Sequence, residues 1–136
     1  MTPTENTGIL NDFRTVIYPT KTYKLDVENN RVIGYVDGLK AMEQAVYKIL
    51  MTPRFRHIIY SFNYGTEHFE LMDKLYPYIY SRLRECISEA LMQDDRILRV
   101  YNFVFKRNKP HGGLLVTFSV DTTEGTLNNI ENEVTY

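Results

Sequence analysis

A single cysteine, no tryptophan and no long apolar run are the first constraints on this chain of 136 residues. One thiol closes no internal disulfide and supports no multi-cysteine metal site. Cys86 lies among Leu83, Ile87, Ala90 and Leu91, the setting of a buried, inert thiol. No stretch approaches the roughly 20 apolar residues of a membrane span, and the N-terminus lacks a secretory signal pattern. The expectation is a chain kept in a cytoplasm or in a particle assembled there. A net charge of -1 excludes the polybasic surface of a general nucleic-acid or membrane binder. Three histidines, with no HExxH and no GxSxG, leave zinc and serine-hydrolase chemistry without support. We expect neither a metal nor a cofactor.

What is present is aromatic and tyrosine-rich, with 11 Tyr and 7 Phe. Tyrosine packs its ring and keeps its hydroxyl available, so such chains make wet interfaces. The spacing predicts an α+β domain with helices on one face of a sheet. Alternation gives strands at 23–27 and 31–36, joined by an Asn-rich turn, and a second hairpin at 97–106 and 113–121. Both faces of the 97–106 strand are largely apolar, so it is expected to be central or covered on two sides. Helical spacing predicts elements at 38–51, 67–75 and 77–93, the first capped by Asp37 and the last opened by Pro77. Residues 1–22 read as an N-terminal arm, 23–125 as the domain and 126–136 as an extended acidic tail.

One stretch carries the functional question. The helix at 38–51 is stopped by Thr52-Pro53, because proline lacks the N–H that would continue it. A basic tip follows, Arg54-Phe55-Arg56-His57, then the apolar run Ile58–Phe62, a strand or a tucked connector, and the chain closes on Tyr64-Gly65. Loops pinned between ordered elements tend to carry function. Glu67 and His68 read as helix-start charge and a surface histidine. Seventeen acidic residues offer many carboxylate pairs, so the roughly 5–10 Å separation a glycosidase needs does not discriminate. The loop KRNKPHGG at 106–113 lacks a following helix and reads as a solvated hairpin tip rather than a phosphate cradle.

The ordered set AVYKILMTPRFRHIIYSFNYGTE, ALMQDDRI, VYNFVFKR and GLLVTFSVDTTEG resembles the small baseplate wedge proteins of contractile phage tails, over about Tyr23 to Gly125. The similarity is to the Gram-positive phage and defective-prophage, tailocin-like branch that starts sheath assembly, which is related to type VI secretion baseplate wedge proteins. The resemblance implies a structural protein rather than an enzyme, with no cofactor. It implies a place in the tail baseplate of a virion or tailocin assembled in the host cytoplasm. Implied partners are baseplate wedge proteins and the sheath protein, and further the tail hub or tube; neither nucleic acid nor a membrane is implied. Six copies around the tail would follow.

In that family an acidic-Pro-Arg loop docks into the wedge core. Pro53 and Arg54 match it, Thr52 replaces the acidic residue, and Arg56 is placed to share the load. The expected partner-binding set is Thr52, Pro53, Arg54, Arg56, Tyr64, Gly65 and Glu67. The resemblance also implies strand exchange with sheath subunits. Two rival functions remain at this point. One is a small, lysozyme-like peptidoglycan hydrolase carried on the tail. The other is an unrelated module whose basic tip binds acidic peptide or nucleic acid.

Overall fold

The computed structural model describes residues 17–68, 71, 75–108 and 112–134. The elements run β1 (Thr22–Asp26), β2 (Arg31–Val36), α1 (Gly38–Met51), α2 (Tyr76–Met92), β3 (Ile97–Asn108), β4 (Gly113–Thr122) and β5 (Gly125–Val134). The α+β class is as the sequence predicts. The helix expected at 67–75 lies outside the described residues, apart from Glu67, His68, Leu71 and Leu75. Of the expected N-terminal arm, only residues from Ile17 onward are described.

Helix α1 begins where Asp37 accepts a hydrogen bond from Gly38 N–H, and Thr20 donates to the same carboxylate. It ends at Thr52, whose hydroxyl donates to Lys48 C=O at 2.7 Å. Its buried face is Ala41, Met42, Val46, Ile49 and Leu50. Helix α2 buries Ile79, Leu83, Cys86, Ile87, Ala90 and Leu91, the face its spacing predicts. Burial pushes the Cys86 thiol above its ordinary pKa, which fits an inert side chain.

Three findings depart from the expected sheet. First, the two hairpins do not share one sheet; β1–β2 is a two-stranded ribbon and β3–β4–β5 a separate antiparallel sheet. The side chain of Gln44 explains part of the separation. Its Oε1 accepts from Leu25 N–H at 2.9 Å and its Nε2 donates to Tyr23 C=O at 2.8 Å. One amide thus occupies the β1 edge where another strand would pair.

Second, residues assigned to an acidic tail form β5, paired with β4 from Thr122↔Gly125 to Leu114↔Val134. Glu131 and Glu133 project from the exposed face while Leu127 and Val134 are buried. The acidic composition masked an alternation, because a bulge with Asn129 at φ 54° breaks its period.

Third, β4 rather than β3 is central. Leu114, Val116, Phe118 and Val120 of β4 are all at most 2% exposed, whereas Leu98 and Val104 of β3 are 58% and 49% exposed. Both helices cover the inner face, α2 over β3 and α1 against β5. Phe103 stacks on Phe118 at 5.6 Å, and Tyr80 stacks on Phe105 at 5.0 Å, tying α2 to the sheet.

Candidate functional site: a latched loop and the cleft beside it

The loop after α1 is closed at its neck by backbone. Thr66 N–H donates to Thr52 C=O at 3.0 Å, and Arg54 N–H donates to Thr66 C=O at 3.1 Å. Pro53 and Thr66 thereby form a parallel bridge. Gly65 makes the approach possible. Its φ is +96°, and a Cβ there would sit 2.5 Å from the Thr52 carbonyl oxygen. Only glycine suits a position that needs both the left-handed region and this contact.

Beyond the neck the chain forms successive turns and no strand. Tyr60 N–H donates to His57 C=O, and Tyr64 N–H donates to Ser61 C=O. Tyr60 stacks on Tyr64 at 4.6 Å and meets the His57 ring edge-on at 6.1 Å. Phe55 holds φ +66°, a costly conformation for a bulky side chain, and one that clusters at functional segments. Phe55, Ile58, Ile59 and Phe62 are 68%, 103%, 85% and 79% exposed. No other described segment presents so much apolar surface in so few residues.

The expected partner-binding residues divide. Thr52, Pro53, Arg54 and Gly65 meet at the neck. Tyr64 flanks it, half-buried, with its phenol pushed above the ordinary pKa by burial. Arg56 is exposed on the loop, and Glu67 is exposed just past the neck. Arg54 does not project as a basic tip. Its side chain is 8% exposed and turns back to α2, with Nη1 3.0 Å and 2.9 Å from the two carboxylate oxygens of Glu89. Its Nε and Nη2 are buried with no hydrogen-bond partner. An unsatisfied buried donor costs about 1–3 kcal/mol, which makes this a strained way to hold an arginine.

A cleft of about 340 Å³ adjoins the loop, between Ser61, Asn63 and Tyr64 on one side and Gln93, Asp94 and Arg96 on the other. Asn63 Nδ2 donates to Gln93 Oε1 at 3.0 Å, joining loop to helix end. Arg96 grips Asp94 with a fork, Nε to Oδ1 at 2.9 Å and Nη2 to Oδ2 at 2.7 Å. Burial raises the Asp94 pKa, but the Arg96 hydrogen bonds more than offset it, and the group titrates below its ordinary value. The partner-binding set expected from the sequence includes neither Asp94 nor Arg96. The missed signal is that Asp94-Asp95-Arg96 has an acidic residue and an arginine at the spacing sought at 52–54.

His68 also departs from expectation. It is 3% exposed rather than a surface residue, with Nδ1 3.0 Å from Thr66 Oγ1. Burial lowers its pKa to about 4, against an ordinary value of 6.5. The unfolded chain therefore takes up the proton first as pH falls. The stability contributed by a neutral ring is complete above pH 6.5 and drains as pH falls towards 4, by roughly 3 kcal/mol. Urea titrations at pH 7 and pH 4.5 should show this loss, and His68→Gln should flatten it. Equal pH slopes for both proteins would show that His68 is not the group responsible. The carboxylates held low, Asp94 among them, lose their contribution only in a more acidic window.

Among the described residues, no group of three or more His, Cys, Asp or Glu could hold a metal. No described helix is long and apolar enough to cross a membrane. The family model described as contractile injection system sheath initiator matches residues 14–125. The chain belongs to that family. This sheath-initiator chain is also 38% identical over 116 residues to phage-like element PBSX protein XkdS of Bacillus subtilis (strain 168). That match covers 82% of this chain and 81% of the relative. The resemblance to the Gram-positive phage and defective-prophage branch is thus borne out. The chain is a structural protein of a contractile tail particle, of a family that engages tail sheath and baseplate components.

Proposed function

We propose that this sheath initiator joins the wedge core of the baseplate to the first sheath ring, and starts sheath growth by exchanging strands with sheath subunits. The latched loop is the wedge-facing element. What carries this reading is four large apolar side chains in water on a loop whose neck is held by Gly65. An exposed apolar cluster of this kind marks an interaction site, and a fixed neck lowers the cost of ordering it on binding. Thr52, Pro53 and Gly65 hold the neck, while Arg56, Tyr64 and Glu67 border the contact. Arg54 ties the loop to α2 through Glu89, so it supports the docking face from behind. The fork at Asp94 and Arg96 belongs to the same docking face, because it lines the cleft against Tyr64. Sheath contact falls to a free sheet edge, where an added strand gains main-chain hydrogen bonds. Six copies around the tube would repeat that edge at fixed spacing.

Cells producing the particle without this chain should yield baseplates and bare tail tubes, with sheath protein unassembled or in detached tubes. Electron micrographs showing normally sheathed tails would refute the initiation role.

A further inference from the structure

The fold leaves more than one strand edge unpaired among the described residues, and one of them is built differently. Among the described residues, β5 pairs only with β4, and no described strand covers its outer side. Between β5 and α1 lies a pocket of about 120 Å³, the size of one side chain. Tyr47, Leu50, Met51 and Ile130 give it apolar walls, Glu43 and Glu131 also line it, and Tyr47 and Met51 are 42% and 54% exposed. Asn132 also lines it, and its Nδ2 is buried with no hydrogen-bond partner. By the pleat, Glu131 and Glu133 fall on the other face of the same strand, both exposed, with Glu133 accepting from Asn108 Nδ2 at 2.9 Å. Strand β5 has no basic residue to offset them.

We propose that this edge receives an extended partner segment in which basic residues alternate with apolar ones. The inference rests on the strand-addition reading above and names the edge and the chemistry it selects. The alternation follows from the pleat, which sends successive side chains to opposite faces. The register places Ile130 opposite Phe118 and Asn132 opposite Val116, on the helix side, and Glu131 and Glu133 opposite Thr117 and Leu115, on the other. An incoming strand therefore seats an apolar side chain in the pocket against Tyr47 and Met51. Its neighbours in sequence fall beside the two glutamates, where lysine or arginine is favoured. An acceptor carried by the seated segment satisfies the orphaned Asn132 donor. The edge of β1 offers no such opening, because Gln44 already occupies it. The β3 edge carries Arg99, Lys106 and Arg107 instead, and would select the opposite charge.

Backbone and side-chain amide NMR on the full chain tests this, with an eight-residue peptide alternating lysine and valine as the probe. Shifts confined to residues 130–134 and the Asn132 side-chain amide are expected. A glutamate–valine peptide should not produce them, and Glu131→Lys with Glu133→Lys should weaken the lysine peptide about tenfold. Shifts along β2 or β3, equal binding of the two peptides, or no binding would each overturn the assignment to β5. Strand addition at another edge would survive the first of these results. Failure of the initiation role itself is read separately, from sheathed tails in cells lacking the chain.

Discussion

Gly65→Ala is expected to unlatch the loop while leaving the core intact. The added Cβ would lie 2.5 Å from the Thr52 carbonyl oxygen, the same atom that accepts from Thr66 N–H. Relief requires moving backbone, so the Thr66–Thr52 and Arg54–Thr66 hydrogen bonds are lost together. Two hydrogen bonds of about 1 kcal/mol each, with left-handed strain of about 1–2 kcal/mol, set the penalty near 3 kcal/mol. The opened population then rises by roughly a hundredfold. Trypsin cleavage at Arg54 and Arg56 should accelerate by a similar factor, since cleavage of a transiently opened segment follows that population. Met42, Phe118 and the rest of the core lie away from the neck, so far-UV circular dichroism should be unchanged. Wild-type protease resistance in Gly65→Ala would mean that the neck is not what holds the loop.

Loss of incorporation is the expected result for Ile58→Asp combined with Phe62→Asp. Both side chains are in water in the isolated chain, at 103% and 79% exposure, so the thermal midpoint should not move. In the assembled baseplate, on the proposed reading, both are buried. Burying such a side chain is worth about 1.5–3 kcal/mol, and an unpaired carboxylate in its place adds a desolvation cost. A combined loss of about 4 kcal/mol or more corresponds to nearly a thousandfold in affinity. Quantitative mass spectrometry of purified tails should then find the double variant almost absent. Wild-type amounts in intact tails would remove the loop from the wedge interface. The two variants separate the parts of the device, because one alters how the loop is held and the other what it presents.

The legible parts of this fold are those with a strong period or an unambiguous stop. Helices α1 and α2 announce themselves through apolar spacing, Asp37, Pro53 and Pro77. The β3–β4 hairpin follows from alternation in β4. Strand β5 was hidden because a bulge at Asn129 breaks its period and because glutamates on one face resemble a solvated tail. The separation of β1–β2 depends on one side chain, Gln44, whose partners are 19 and 21 residues away in sequence. No local pattern encodes such a contact.

At the candidate site, Pro53 and Gly65 could be marked as special from residue type alone. The inward turn of Arg54 could not, since its partner Glu89 comes from a helix 35 residues later. Nor could Ile58, Ile59 and Phe62 be told from a buried run, because apolar residues in a short stretch look the same whether a partner or the core covers them. His68 was misjudged for a related reason. Its ring is buried against the Thr66 hydroxyl, while its sequence neighbour Glu67 is exposed.

The bridge between Pro53 and Thr66 is parallel, and this governs how the loop can vary. An antiparallel neck could be shortened residue by residue, with the two sides zipping closer. A parallel neck requires the chain to complete a full circuit and re-enter in its original direction, which takes about a dozen residues at least. Here the circuit runs from Arg54 to Gly65, which is twelve residues. The loop therefore has almost no spare contour: side chains along it are free to change, but its length is bounded from below by closure of the ring.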